Sequence, residues 1–320
     1  MRTLLLNRSA VSRNLQALTL LEDMREAFRT DALARTVAPQ RARVPLHTEG
    51  TAMVLFPGSL PGIPAYTVKV HAKFPGQTPA IQGVVQLHDL ATGSLLAMMD
   101  SGHLTAVRTG VVGALAADVL ARPEASRVAL IGAGRQAVLQ LKSLRLVRSL
   151  SHARVYDTEP ARALAFATRM YQELSLPVRM ADSVEEAVED ADIVVTATWS
   201  RQPFLHAGRV RPGTHITALG ADEPGKAEVS AELLKQSLFV VDHRGLAVTS
   251  GAAGGVGLGE DAIHAELGEV IAGMKPGRAS PEQVTVFTPV GLPFQDLAAA
   301  WHVYLAAQGD EELQGMDFTE

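Results

Sequence analysis

Residues 127–157 constrain what this chain can fold into more than any other stretch. Val128, Ala129, Leu130 and Ile131 form a short apolar run of the kind that suits a parallel strand covered on both faces. Gly132-Ala133-Gly134-Arg135-Gln136-Ala137 follows directly. In this G-x-G-x-x-A pattern the first glycine permits a tight turn and the second lets a pyrophosphate come close to the backbone, while the small Ala137 lets the ensuing helix pack on the strand. The start of that helix offers free N–H groups and the positive end of its dipole. Val155 and Tyr156 open a second strand that ends in Asp157, roughly 20 residues on, where a carboxylate would accept hydrogen bonds from adenosine ribose hydroxyls. A glycine turn also occurs without a ligand, but strand, turn, helix and acid in this order point to a dinucleotide. A carboxylate at Asp157 repels a 2′-phosphate and Arg162 lies several residues further on, so NAD(H) is expected in preference to NADP(H).

Around this unit the chain changes style. Downstream, strands expected at 154–156, 178–180, 193–197, 215–219 and 238–241 alternate with helices at 159–174, 184–191 and 231–235, the pattern of an α/β doubly wound parallel sheet, a Rossmann domain. Upstream, a strand at 3–6 and an amphipathic helix over 9–30 precede strands at 41–46, 51–56 and 65–72 and a hairpin with strands at 84–87 and 94–99, an antiparallel-leaning α+β region. An apolar helix over 105–121 joins the two regions. The glycine-rich stretch 250–258 is expected to be flexible, a helix is expected to begin within 261–271, and 289–308 forms a loop and an apolar helix that returns to the N-terminal region.

Composition narrows the function. A chain of 320 residues with 47% hydrophobic and 20% charged residues buries a substantial core and is not a disordered polymer. A net charge of −5 argues against nucleic acid and anionic membrane as partners. The absence of cysteine removes disulfides, thiol nucleophiles and cysteine-ligated metals together, and the histidines show no metal-ligand spacing, so no metal is expected. With no signal-peptide pattern and no long apolar run at the N-terminus, the expected location is the cytoplasm. The α+β region has several strands and only one long helix to cover them, so one sheet face is expected to meet a second copy, as a homodimer.

Three strand ends carry residues suited to chemistry: Thr196 to Trp199, Gly220 to Asp222, and Asp242. At Gly220 the backbone can approach a nicotinamide ring and Asp222 could exchange a proton; equally, Asp222 could cap a turn before Pro224. Lys69 stands in an apolar strand, where burial would lower its pKa and fit it for proton transfer, or it is a solvated edge lysine. Arg41, Arg43 and Arg108 are candidates to clamp a carboxylate.

These pieces together resemble the ornithine cyclodeaminase/mu-crystallin family. The matching segments are Gln40-Arg41, Val68-Lys69, Thr92-Gly93, Leu104-Thr105-Ala106-Val107-Arg108-Thr109, Ile131 to Ala137, His215 to Asp222, Ala265 to Val270, Val290-Gly291 and Gln295-Asp296-Leu297. The resemblance implies a Rossmann domain over 113–291 set between two parts of a substrate-binding and dimerisation domain, 1–112 plus 292–320. It implies hydride transfer at the α-carbon of an amino or imino acid: ornithine cyclodeaminase-like deamination, with pyrroline-2-carboxylate or ketimine reduction and alanine dehydrogenation as alternatives. A non-enzymatic crystallin-like binding protein is the reading from another class. By the same resemblance Arg41, Lys69, Arg108 and Val290 bind substrate, and Lys69 and Asp222 are catalytic. Arg108, Gly132, Ala133, Gly134, Arg135, Gln136, Asp157, Thr196, Thr198, Gly220 and Lys226 contact cofactor. Asp222-Glu223-Pro224-Gly225-Lys226 matches the cyclodeaminase branch, whereas Val54 stands where ornithine-using members have an acid; Glu49 is near but out of register.

Overall fold

Alternation of buried and half-exposed residues along two neighbouring strands sets the architecture of the N-terminal region. The computed structural model describes residues 2–35, 37–47, 51–74, 77, 79, 81–310 and 312–318, so Glu49 lies outside the described residues. The chain opens with β1 (Thr3–Leu6), α1 (Arg8–Asn14) and α2 (Ala17–Ala34). It continues through β2 (Ala42–Pro45), β3 (Ala52–Gly58), β4 (Ala65–Lys73), β5 (Ile81–Asp89), β6 (Leu95–Asp100) and α3 (Ser101–Leu120). In β3 and β4 every second residue is buried, from Ala52 to Gly58 and from Ala65 to Lys73. Register places Phe56 opposite Lys69 and Val54 opposite His71, so these four side chains share one sheet face. That face is covered by α11 (Pro293–Ala307), whose Phe294 meets Phe28 of α2 edge-on at 5.1 Å.

With β15 (Gly315–Met316), these strands form a sheet in the order β15-β1-β6-β5-β4-β3-β2, antiparallel except for the β1–β6 pair. The single helix expected over 9–30 is two: Leu15 is extended (φ −104°, ψ 91°), ending α1, and α2 starts at Ala17. Leu20, Leu21, Met24, Ala27 and Phe28 then give α2 one buried face. Helix α3 is long and apolar enough to span a bilayer, but 72% of its apolar window is buried inside the protein, as in a core helix.

The chain divides into two compact units, Met1–Arg108 with Leu292–Glu320, and Thr109–Gly291, the first boundary falling within α3. The second unit runs β7 (Arg127–Ile131), α4 (Arg135–Val147), β8 (His152–Tyr156), α5 (Pro160–Leu174), β9 (Val178–Met180), α6 (Val184–Val188), β10 (Ile193–Thr196) and β11 (His215–Ala218). It ends with α7 (Ala231–Gln236), β12 (Leu238–Val241), α8 (Arg244–Thr249), α9 (Ala252–Gly255), β13 (Ala265–Glu266), α10 (Leu267–Ile271) and β14 (Thr285–Thr288). All eight strands are parallel, in the order β13-β12-β14-β11-β10-β7-β8-β9. Residues of β10, β11, β12 and β14 are buried throughout, because helices cover both faces of such a sheet. The chain passes outward from β7 to β9 and restarts at β10 on the other side of β7, which puts the topological switch point between β7 and β10.

Three local expectations are corrected. Residues 250–258, for which no element is expected, hold the short helix α9, with Ala252 and Ala253 buried. The helix expected within 261–271 is a 3-10 turn at Glu260–Ala262, the short strand β13 and then α10, whose N-terminus carries a reciprocal Glu266–Glu269 capping box. Strand β14, a central member of the sheet, was not expected; at four residues, its apolar content is too short to separate from a loop by periodicity.

Candidate active site

At the turn between β7 and α4 the two glycines do different work. Gly132 has φ +96°, and a Cβ there would lie 2.7 Å from the carbonyl oxygen of Ala197, so both conformation and space exclude a side chain. Gly134 is extended (φ −82°, ψ −174°) and a Cβ there would meet nothing within 4 Å; the open side is the approach to the helix start. No side chain caps α4, which leaves its first N–H groups directed outward. Asp157 Oδ2 accepts from Ala133 N at 2.8 Å and Oδ1 from Glu159 N at 3.0 Å, fixing the carboxylate beside the turn with lone pairs to spare. Gln136 Oε1 is buried with no hydrogen-bond partner. Arg135 is exposed, and Arg162 pairs with Glu159 at 2.9 Å. An uncapped helix start, an open glycine, an orphaned amide oxygen and a fixed acid fit the pyrophosphate and ribose of a dinucleotide.

The carboxyl ends of β10 and β11 are tied together by a residue that sequence reasoning missed. Glu228 Oε2 accepts from Thr196 Oγ1 at 2.6 Å and Gly220 N at 2.7 Å, and Oε1 accepts from Thr198 N at 2.8 Å and Thr198 Oγ1 at 2.7 Å. The Thr196 and Thr198 hydroxyl protons are therefore committed to Glu228. Burial pushes the Glu228 carboxyl up from its ordinary value, against these hydrogen bonds. In the adjoining loop Lys226 Nζ lies 3.0 Å from Asp222 Oδ1, 3.0 Å from Glu223 Oε1 and 4.2 Å from the ring centroid of the exposed Trp199. Asp222 is thus the partner of a buried ammonium, with a third of its side chain exposed. Val290, also in this unit, packs beside Gly251 and donates its N–H to Asp242 Oδ2 at 3.0 Å.

In the first unit the structure brings Lys69, Arg108 and Arg41 together around two residues of other kinds. Lys69 is fully buried, its Nζ 2.5 Å from Asp296 Oδ2 and 4.1 Å from the Phe56 ring centroid. Asp296 Oδ1 accepts from Arg108 Nε at 3.1 Å, and Arg108 Nη1 donates to Gln295 Oε1 at 2.7 Å. The Arg41 guanidinium also lies over the Phe56 ring, 5.3 Å from its centroid. Burial lowers the Lys69 pKa to about 8, offset in part by Asp296 and reinforced by Arg108 and Arg41. Burial pushes Asp296 up, but Lys69 and Arg108 outweigh it and hold the carboxyl below its usual range. His71, buried beside Lys69, has its pKa lowered to about 3 by desolvation and the neighbouring cations, so it is neutral. Asp296 could have been found in the sequence as the lone acid of an otherwise apolar helix.

Among the described residues no cluster of histidine, aspartate or glutamate is arranged to hold a metal ion. An all-parallel sheet with a strand-order reversal, the glycine turn and its acid define the class: a Rossmann dinucleotide-binding fold joined to a second α+β unit. The sequence matches the ornithine cyclodeaminase/mu-crystallin family over residues 1–311, and the chain belongs to that family. An alanine dehydrogenase of Archaeoglobus fulgidus is 35% identical over 324 aligned residues, covering 95% of each chain. Among solved structures, an archaeal alanine dehydrogenase dimer with bound NAD superposes with a TM-score of 0.92 at 34% identity, covering 99% of this chain and 100% of that one. The Thermococcus litoralis Δ1-pyrroline-2-carboxylate reductase in complex with NADH and L-proline also gives 0.92, at 30% identity, covering 98% and 100%.

Proposed function

We propose that this member of the family is an NAD(H)-dependent enzyme acting at the α-carbon of a small amino acid, deaminating it through an imine in one direction and reducing an imino acid in the other. The observation that carries this reading is the buried cluster in which Lys69 and Arg108 share the one carboxylate of Asp296, leaving positive charge to attract a substrate carboxylate. When bound, the nicotinamide cofactor accepts or supplies the hydride. Arg41 and Arg108 hold the carboxylate. Lys69, with a pKa of about 8, can lend and recover a proton near neutral pH. Asp222 takes the proton that the amine sheds on becoming an imine, and returns it in reduction. Water, or an internal amine, then adds to the imine carbon and ammonia leaves.

Val54, buried and opposite His71, supports a substrate with no distal ammonium, such as alanine or pyrroline-2-carboxylate, over ornithine. Homodimer assembly belongs to the same reading. On the sheet face away from α11, Leu55, Val68, Val70, Val84 and Met98 are only part-buried in the single chain. A cysteine-free chain is compatible with a reducing cytoplasm.

The test is a panel of amino acids and cyclic imines assayed by NADH absorbance. Turnover is expected with at least one compound. On it, Asp222→Asn should lower kcat by roughly 10²–10⁴-fold with NADH affinity nearly intact, while Arg41→Lys, which keeps charge but loses the bidentate fork, should mainly raise KM. NADH binding without turnover on any compound would make this a binding protein. Near-normal turnover by Asp222→Asn would reduce Asp222 to the loop partner of Lys226.

A further inference from the structure

Glu228 is a buried carboxylate that the proposed reaction does not use. The residue is 1% exposed, and the four groups that bind its carboxylate are neutral donors: the hydroxyls of Thr196 and Thr198 and the backbone N–H groups of Thr198 and Gly220. Each oxygen accepts one backbone N–H and meets one hydroxyl, so four donors favour the ionised form against the burial that pushes the carboxyl up. The site is built around it. A Cβ on Gly220 would collide with the Glu228 carboxylate and the Thr198 carbonyl, and Ala197, between the two threonines, has its carbonyl against Gly132 of the glycine turn.

None of the four groups that bind Glu228 carries a charge. In the neighbouring loop Lys226 Nζ is engaged at 3.0 Å by both Asp222 and Glu223. Arg201, which reaches Gly225, is exposed, where water and salt screen it. Ligands of doubly wound sheets bind beyond the carboxyl ends of the strands at the switch point, and β10 and β11 are the first two strands past it on this side. Oxidised and reduced nicotinamide differ by one positive charge on the ring, and a carboxylate buried in a low-dielectric interior discriminates between them far more than one in water.

We infer that Glu228 acts as a redox-biasing charge: it lowers the Kd of the oxidised, cationic cofactor relative to the reduced one, and so favours the direction in which the bound cofactor gives hydride away. The inference rests on the proposed nicotinamide reading. It assigns Glu228 a role beyond holding β10 to β11, and the two roles separate in binding alone.

The experiment measures Kd for NAD+ and for NADH by fluorescence and calorimetry on the full chain, for the unmutated protein, Glu228→Gln, Glu228→Asp and Thr198→Val, with folding checked by circular dichroism. Glu228→Gln should weaken NAD+ about tenfold more than NADH. Glu228→Asp keeps the charge and should weaken the two forms alike, keeping the NAD+/NADH ratio within about twofold, whereas Thr198→Val removes one of the donors that favour the charged form and should shift the ratio in the same direction as Glu228→Gln. Equal loss of both forms in Glu228→Gln overturns the inference and leaves Glu228 a strand tie. A changed ratio in folded Glu228→Asp or an unchanged one in folded Thr198→Val overturns it as well, and Thr198→Val carries the test if Glu228→Gln does not fold. Binding of neither form by the unmutated protein would instead sink the proposed function.

Discussion

Lys69 sits in mid-strand on the covered face of the sheet, and its charge is met by Asp296 and the face of Phe56. Because burial lowers its pKa from 10.5 to about 8, the unfolded chain binds the extra proton between those values, and this residue adds stability as pH rises through that window. Function runs the other way: above pH 8 or so the neutral amine no longer attracts a carboxylate, so KM for the amino acid should climb across that range. A KM independent of pH through that range would take the Lys69 charge out of substrate binding. Asp296→Asn leaves two buried cations without their carboxylate, and a loss of about 3–5 kcal/mol is expected in urea unfolding. Asp192, before β10, gives a contrasting case. Burial raises its carboxyl, but Arg127 and the backbone N–H groups of Ser126 and Arg127 more than compensate, bringing it to about 2. Its contribution, about 2 kcal/mol, is present above the ordinary carboxylate range and should vanish as pH falls from 4 or so toward 2; acid titration of Asp192→Asn should lack that step.

The strand-turn-helix element at residues 127–147 is the part of the fold most legible in the sequence, because its requirements are local: an apolar run, two glycines, a small residue. The structure separates the two glycines. Gly132→Ala should lower Tm, since a side chain meets the Ala197 carbonyl in a backbone conformation that costs roughly 1–2 kcal/mol for a non-glycine residue. Gly134→Ala should fold with unchanged Tm and bind NADH about tenfold more weakly, because its Cβ occupies only the open approach. Unchanged NADH affinity in Gly134→Ala would mean that no pyrophosphate comes near it. Elements with weaker local signals were less legible. The α1–α2 break at Leu15 carries no glycine or proline, and the glycines of 250–258 hide the short helix in which Ala252 and Ala253 are buried.

At the scale of the whole molecule, the part-exposed apolar face of the first sheet leads to a definite expectation: light scattering at micromolar concentration should return twice the 34.0 kDa chain mass. A Val70→Glu substitution on that face, pointing away from Lys69, should shift the protein toward monomer. A mass of 34.0 kDa for the unmutated chain would remove the dimer.

What the sequence determined by itself were properties that neighbours along the chain decide: most of the runs that form strands or helices, and the glycine turn between β7 and α4. It placed Lys69 in a strand, Arg108 in a helix and Asp222 in a loop. Only the tertiary structure decided their partners. Asp296 lies 227 positions from Lys69 and reaches it because α11 returns to cover β4, and Glu228 binds two segments, at the ends of β10 and β11, that meet only once those strands lie side by side. A buried charge is as costly as its nearest opposite charge or donor is distant, and that distance depends on the packing of remote elements, which periodicity does not carry.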